Sequence, residues 1–176
     1  DACKGCYATT GMYNMPNVKA PRISNKEDWK RKDWVDDMVN AIFNDELFRW
    51  FDSGDCYDLR LAKKIKQVIE RTPTTKHWLP TRQHKFPKFT KVLTEIASLP
   101  NAVVRLSSDS INGGIIKGDT TSTIWSTEPP KEAFECGAYT RNGECKDCRA
   151  CWDKLVKVVA YPGHGAKMLK VIRLQG

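Results

Sequence analysis

The chain lacks any apolar stretch near the ~18 residues that a membrane helix needs. No membrane partner is therefore expected. Its opening, DACKGCYATTG, lacks the apolar core of a secretory leader. It has no internal repeat and no low-complexity tract, which sets aside repeat arrays and compositionally disordered proteins. It also lacks an even cysteine count. Seven cysteines in 176 residues cannot all pair, and a disulfide-stapled secreted domain is usually shorter. A reduced, cytosolic compartment fits better, and there clustered cysteines point to metal. Asp1 stands where an initiator methionine would, so residues are expected upstream of it.

What is present is enough for a packed core. Hydrophobic residues make up 40% of the chain, with six tryptophans, and the length suits a single domain over residues 1–176. The formal net charge of +8 allows nucleic acid or another anionic partner. The lysines are dispersed, and a solvated basic surface accounts for them equally well.

Apolar periodicity places the elements. KEDWKRKDWVDDMVNAIFNDE (26–46) reads as an amphipathic helix, with Trp34, Met38 and Ile42 on one face. LFRWFDSGD (47–55) reads as a short strand ending in a polar loop. DLRLAKKIKQVIERT (58–72) is a helix with Asp58 as N-cap and Leu61, Ile65, Val68 and Ile69 inward. KHWLPTR (76–82) is a strand, and FPKFTKVLTEIASLP (86–100) a helix that Pro100 closes. AVVRLSSDS (102–110) is a strand, 112–127 a Gly/Thr/Ser-rich loop, and KVVAYPGHG (157–165) a last strand running into a glycine turn.

Strands alternating with helices predict an α/β fold with a mostly parallel sheet, a partial (β/α) barrel or a three-layer sheet, carrying a cysteine-rich insert at 136–151. Ligands gather at the carboxyl ends of parallel strands. The polar residues at those ends form a candidate pocket: Ser53, Asp55, Arg82, Ser107, Asp109 and His164. Arg82 and His164 would take an anionic or carboxylate-bearing small molecule, and Asp55 and Asp109 would accept from hydroxyls or amines. Asp, Ser and Gly are also what loops and helix caps are made of.

CGAYTRNGECKDCRAC holds Cys136, Cys145, Cys148 and Cys151 in a C-x8-C-x2-C-x2-C run. Two-residue gaps let successive thiolates turn towards one centre. The evenly spaced triple with one more distant cysteine is the pattern of a 4Fe–4S site. Zinc more often takes two separated C-x2-C pairs. Cys3-Lys4-Gly5-Cys6 is such a pair, so Cys3 and Cys6 are additional candidate ligands and zinc remains the alternative. Cys56 stands alone and reads as a small buried hydrophobe. Trp152 would shield a metal centre from water. His77 and His84 carry no pattern.

CGAYTRNGECKDCRACW followed by KVVAYPGHGAK resembles the C-terminal signature of the phage gene product 88 family, and CKGCYATTG resembles its N-terminal motif. FRWFDSGD and VVRLSSDS are similar to its polar strand ends. The resemblance implies a bacteriophage protein working in the cytoplasm of an infected bacterium. A fainter likeness is to radical S-adenosylmethionine barrels. CKGCYA looks like the last two cysteines of their three-cysteine motif, and Ser53-Gly54-Asp55 like a degenerate glycine–acid motif. The departure is the missing third cysteine, which would have to lie upstream of Asp1. The expected function is a viral iron–sulfur protein in electron transfer or cluster-supported chemistry at the strand-end pocket. The alternative is a zinc- or cluster-stabilised protein that binds nucleic acid or a host protein without catalysis.

Overall fold

The computed structural model describes residues 2–174. In chain order the elements are α1 (Pro16–Asp28), α2 (Trp34–Ile42), β1 (Leu47–Arg49), α3 (Leu59–Arg71), β2 (Lys76–Thr81) and α4 (Pro87–Ser98). Then come β3 (Ala102–Ser107), β4 (Thr121–Trp125), β5 (Phe134–Glu135), β6 (Val158–Pro162) and α5 (Ala166–Arg173). The strands lie in the order β1-β2-β3-β4-β6-β5, so the sheet is open, with β1 and β5 as its edges. β1 with β2, β3 with β4, β4 with β6 and β5 with β6 all pair in parallel. The class is α/β, as the alternating pattern predicts. The chain gathers into two compact units: a helical unit, Gly11–Val104, and a cysteine unit, Asp1–Thr10 with Arg105–Gly176.

In the helical unit, α3 starts where Asp58 caps it, its carboxylate accepting from the Arg60 N–H at 2.8 Å. It buries Leu61, Ala62, Ile65, Val68 and Ile69, and α4 buries Phe89, Val92, Leu93 and Ile96. These two apolar stripes are the unit's core. The helix expected over 26–46 is instead two helices. α1 ends at Asp28 and α2 begins at Trp34. Between them Arg31 bridges Asp28 and Asp33, each at 2.7 Å, and Asp37 at 2.8 Å. Lys64 of α3 donates to the Trp29 carbonyl at 2.8 Å and also to that of Arg31, holding carbonyls that a continuous helix would have kept.

In the cysteine unit, the loop expected over 112–127 contains β4. Its Thr121, Ser122 and Thr123 are buried between β3 and β6, and their polarity hides the strand. Ser122 donates to Ser107 Oγ at 3.2 Å and Thr123 to the Gly114 carbonyl at 2.9 Å, so burial leaves these hydroxyls bonded. α5, beyond the last expected strand, seats Met168 in a small core with Ala2 and Ile111. Parallel strands need a long crossover, usually a helix. Between β5 and β6 the crossover is the cysteine segment, with short 3-10 turns at Tyr139–Arg141 and Ala150–Trp152.

Candidate functional site

The cysteine segment is organised from below by Arg105. This β3 side chain is 0% exposed. Its guanidinium donates to the carbonyls of Ala150 at 2.6 Å, Val156 and Asp153 at 2.9 Å, Cys151 at 3.1 Å and Thr121 at 3.4 Å. One side chain thus fixes the backbone that follows the last cysteine. Among the described residues all of its hydrogen bonds go to backbone carbonyls and none to a carboxylate. A buried cation is costly unless negative charge lies near it, and here no carboxylate among the described residues bonds it, although the Asp153 charge acts on it from further off. Burial lowers the pKa of this guanidinium from its ordinary value.

Cys151 is the thiol within electrostatic reach of this guanidinium. Cys136 donates its N–H to the Ala160 carbonyl at 2.8 Å, which ties the start of the segment to β6. Cys148 donates its N–H to the Cys145 carbonyl at 2.9 Å, closing that C-x2-C as a turn. Within the turn Lys146 holds φ +46°, a left-handed conformation that costs a lysine about 1–2 kcal/mol. Burial pushes the Cys151 thiol up to about 11, while Tyr161 and Arg105 pull it back. Cys151 Sγ lies 3.3 Å from the Tyr161 hydroxyl. Burial also raises the Cys136 thiol, and charge on Cys145 or Cys148 would raise it further. Charge on Cys136 or Cys145 would raise the Cys151 thiol in the same sense. Among the described residues, no three His, Cys, Asp or Glu side chains are arranged to hold a metal ion. Thiols are nonetheless the donors that iron and zinc take, and Cys151 lies within electrostatic reach of the buried Arg105 guanidinium.

The N-terminal pair repeats one feature. Cys6 donates its N–H to the Cys3 carbonyl at 3.3 Å, the same turn closure as at Cys145 and Cys148. The Ala2 N–H donates to the Asp109 carbonyl at 3.0 Å, anchoring this segment beyond the end of β3. Gly5 is required there, because a Cβ would lie 2.7 Å from the Met168 side chain and 3.0 Å from its Cα. His164 stacks on Tyr139 at 4.7 Å between ring centroids and on Tyr7 at 6.4 Å. Its imidazole thus links the chain just after Cys6 to the chain just after Cys136.

The six strand-end residues divide between the units. Ser107, Asp109 and His164 belong to the cysteine unit, and Ser53, Asp55 and Arg82 to the helical unit. Asp55 is already engaged inside its own unit. It accepts from Thr81 Oγ1, the Arg82 N–H and the Cys56 N–H, all at 2.7 Å. Its carboxylate ties the β1 loop to the end of β2. Cys56 is 0% exposed, and burial pushes its thiol up to about 12, with Asp55 and Asp58 adding to the effect. It is a packed hydrophobe, as its isolation predicts. Sequence reasoning missed Arg105, Tyr161 and Tyr139. A lone arginine in AVVRLS was the available signal, because Ala102, Val103, Val104 and Leu106 around it are apolar.

The family model described as gene product 88 matches residues 1–154. The chain belongs to the gene product 88 family. The match spans all seven cysteines and ends ahead of β6 and His164. No curated protein and no solved structure matches the chain. The gene product 88 assignment supports a bacteriophage protein, as the motifs imply. No helix among the described residues is long and apolar enough to cross a membrane.

Proposed function

We propose that Cys136, Cys145, Cys148 and Cys151 hold a 4Fe–4S cluster, with Arg105 as its buried counter-charge. The observation that carries this reading is the Arg105 guanidinium, fully buried and hydrogen-bonded only to carbonyls among the described residues. Four thiolates around a doubly positive core leave a net charge of about −2, which would offset that cation. The even C-x2-C-x2-C spacing favours the cluster over zinc. A cluster of this kind supplies one-electron chemistry. A Cys151 thiolate can only accept, so the Tyr161 hydroxyl donates to it and stabilises its charge. Ser107, Asp109 and His164 are the residues of this unit proposed to meet a small anionic partner. In this reading the protein works in the cytoplasm of the infected bacterium.

Zinc is the second reading, because the turns at Cys3–Cys6 and Cys145–Cys148 close alike, as two zinc knuckles would. With the +8 charge it favours a nucleic-acid-binding or host-interaction role without catalysis. Anaerobic purification with iron, sulfide and zinc analysis separates the two. The cluster reading expects a brown protein absorbing near ~400 nm with roughly four irons and four sulfides per chain. A colourless protein with about one zinc per chain would replace it with the second reading.

A further inference from the structure

The metal centre leaves the helical unit without a task, yet that unit contains a cleft of about 700 Å³. Its wall carries Trp29, Trp34, Trp50, Phe48 and Tyr57. α1 also lines it, with Lys19, Arg22 and Lys26 at the i, i+3, i+7 spacing of one helix face. α1 buries none of its residues, so it borders the cleft without filling it. A protein core closes such a volume with side chains. Ligand clefts have this size, an apolar and aromatic lining, and a few polar groups that fix orientation. The third side is the loop that leaves the carboxyl end of β1, Phe51 to Asp55, the position at which parallel sheets bind ligands.

Three carboxylates also line the space: Asp28, Asp52 and Asp55. Asp28 is bridged by Arg31 at 2.7 Å, and Asp55 accepts its three bonds from Thr81, Arg82 and Cys56. Asp52 is exposed and accepts from the Tyr13 hydroxyl at 2.7 Å, while Arg22 lies over the Tyr13 ring at 4.9 Å. The Tyr57 ring is 44% exposed, and the Trp29 indole N–H donates to its hydroxyl at 2.8 Å, which fixes its place in the wall.

We propose that this cleft binds a nucleotide. The base lies against the aromatic wall, the phosphate meets Lys19, Arg22 and Lys26, and the sugar faces Asp52. Aromatic rings stack on any base, and a row of cations recognises phosphate. The same chemistry serves a free nucleotide or one unit of a single strand, and the experiment distinguishes these. The full chain is titrated with ATP, adenosine and a short oligothymidylate, with tryptophan fluorescence and the indole N–H signals of Trp29, Trp34 and Trp50 as readouts. Saturable binding of ATP, tighter than adenosine and not displaced by the oligonucleotide, assigns a free nucleotide. Tighter binding of the oligonucleotide that falls steeply with salt assigns a single strand. In either case Lys19→Glu with Lys26→Glu, both exposed positions, weakens binding about tenfold or more, with a thermal melt as the fold control. Absence of binding by every ligand, or equal affinity in the double variant, overturns the proposal. None of these readouts depends on the metal content of the cysteine unit, so the two proposals fail separately.

Discussion

In the helical unit, α3 and α4 bury Ile65, Val68, Ile69, Phe89, Val92 and Ile96, and α3 starts on a capped turn. In the cysteine unit the strands bury Arg105, Thr121, Ser122 and Thr123, and the apolar cluster around Ala2, Ile111 and Met168 is small. The first set of residues is stabilised by removal from water alone. The second is polar, so its burial depends on hydrogen bonds such as those of Arg105, Ser122 and Thr123. The helical unit thus reads as a scaffold that folds on its own residues. Under the proposed function, the cysteine unit would be completed by the metal its thiols hold.

Three changes can break or sharpen that contrast. Arg105→Met leaves five carbonyls without their donor and should cost roughly 3–5 kcal/mol. Hydrogen exchange should show the loss in β4 and β6, with α3 and α4 still protected. Equal loss in both units would end the contrast. Ile65→Ala, at a position 0% exposed, should cost about 3 kcal/mol in a urea melt. It should leave metal per chain unchanged, and a fall in metal content would show that the units are not separable in this sense.

The third change is pH, acting through His77. This imidazole is fully buried, its Nδ1 accepting from the Trp50 indole at 3.2 Å and its Nε2 lying 2.8 Å from Thr72 Oγ1. The Thr72 hydroxyl donates to the Val68 carbonyl, so Nε2 carries the proton and the ring is neutral. Burial lowers its pKa from 6.5 to about 4. A lowered folded value means that the neutral form is stabilised. Stability is therefore complete above the unfolded value and is lost as pH falls towards the folded one. The helical unit should lose about 2 kcal/mol between pH ~7 and ~5, and His77→Gln should flatten that slope. An unchanged slope in the variant would remove His77 as the cause.

The legible elements were those with a one-sided apolar stripe. α3, β2, α4, β3 and β6 were readable from Leu61, Ile65, Phe89, Val103 and Val159, because core faces repeat at helix or strand spacing. α1 was hidden for most of its length because it buries nothing. β4 was hidden because Thr121, Ser122 and Thr123 look like loop, and the Ser107 and Gly114 partners of Ser122 and Thr123 come from tertiary placement. The ligand set Cys136, Cys145, Cys148 and Cys151 was proposed from spacing alone. The strand-end pocket was legible only as a set of residue types. Sequence could not show that Asp55 is engaged by Thr81 and Arg82, nor that the set divides between two units, since both follow from tertiary placement.

The most direct test is iron and sulfide per chain in Cys148→Ser, compared with the paired variant Cys3→Ser with Cys6→Ser, both purified without oxygen. The account predicts that Cys148→Ser loses the cluster while the N-terminal pair variant keeps it. Retention by Cys148→Ser, or complete loss in the N-terminal variant, would contradict the ligand set Cys136, Cys145, Cys148 and Cys151.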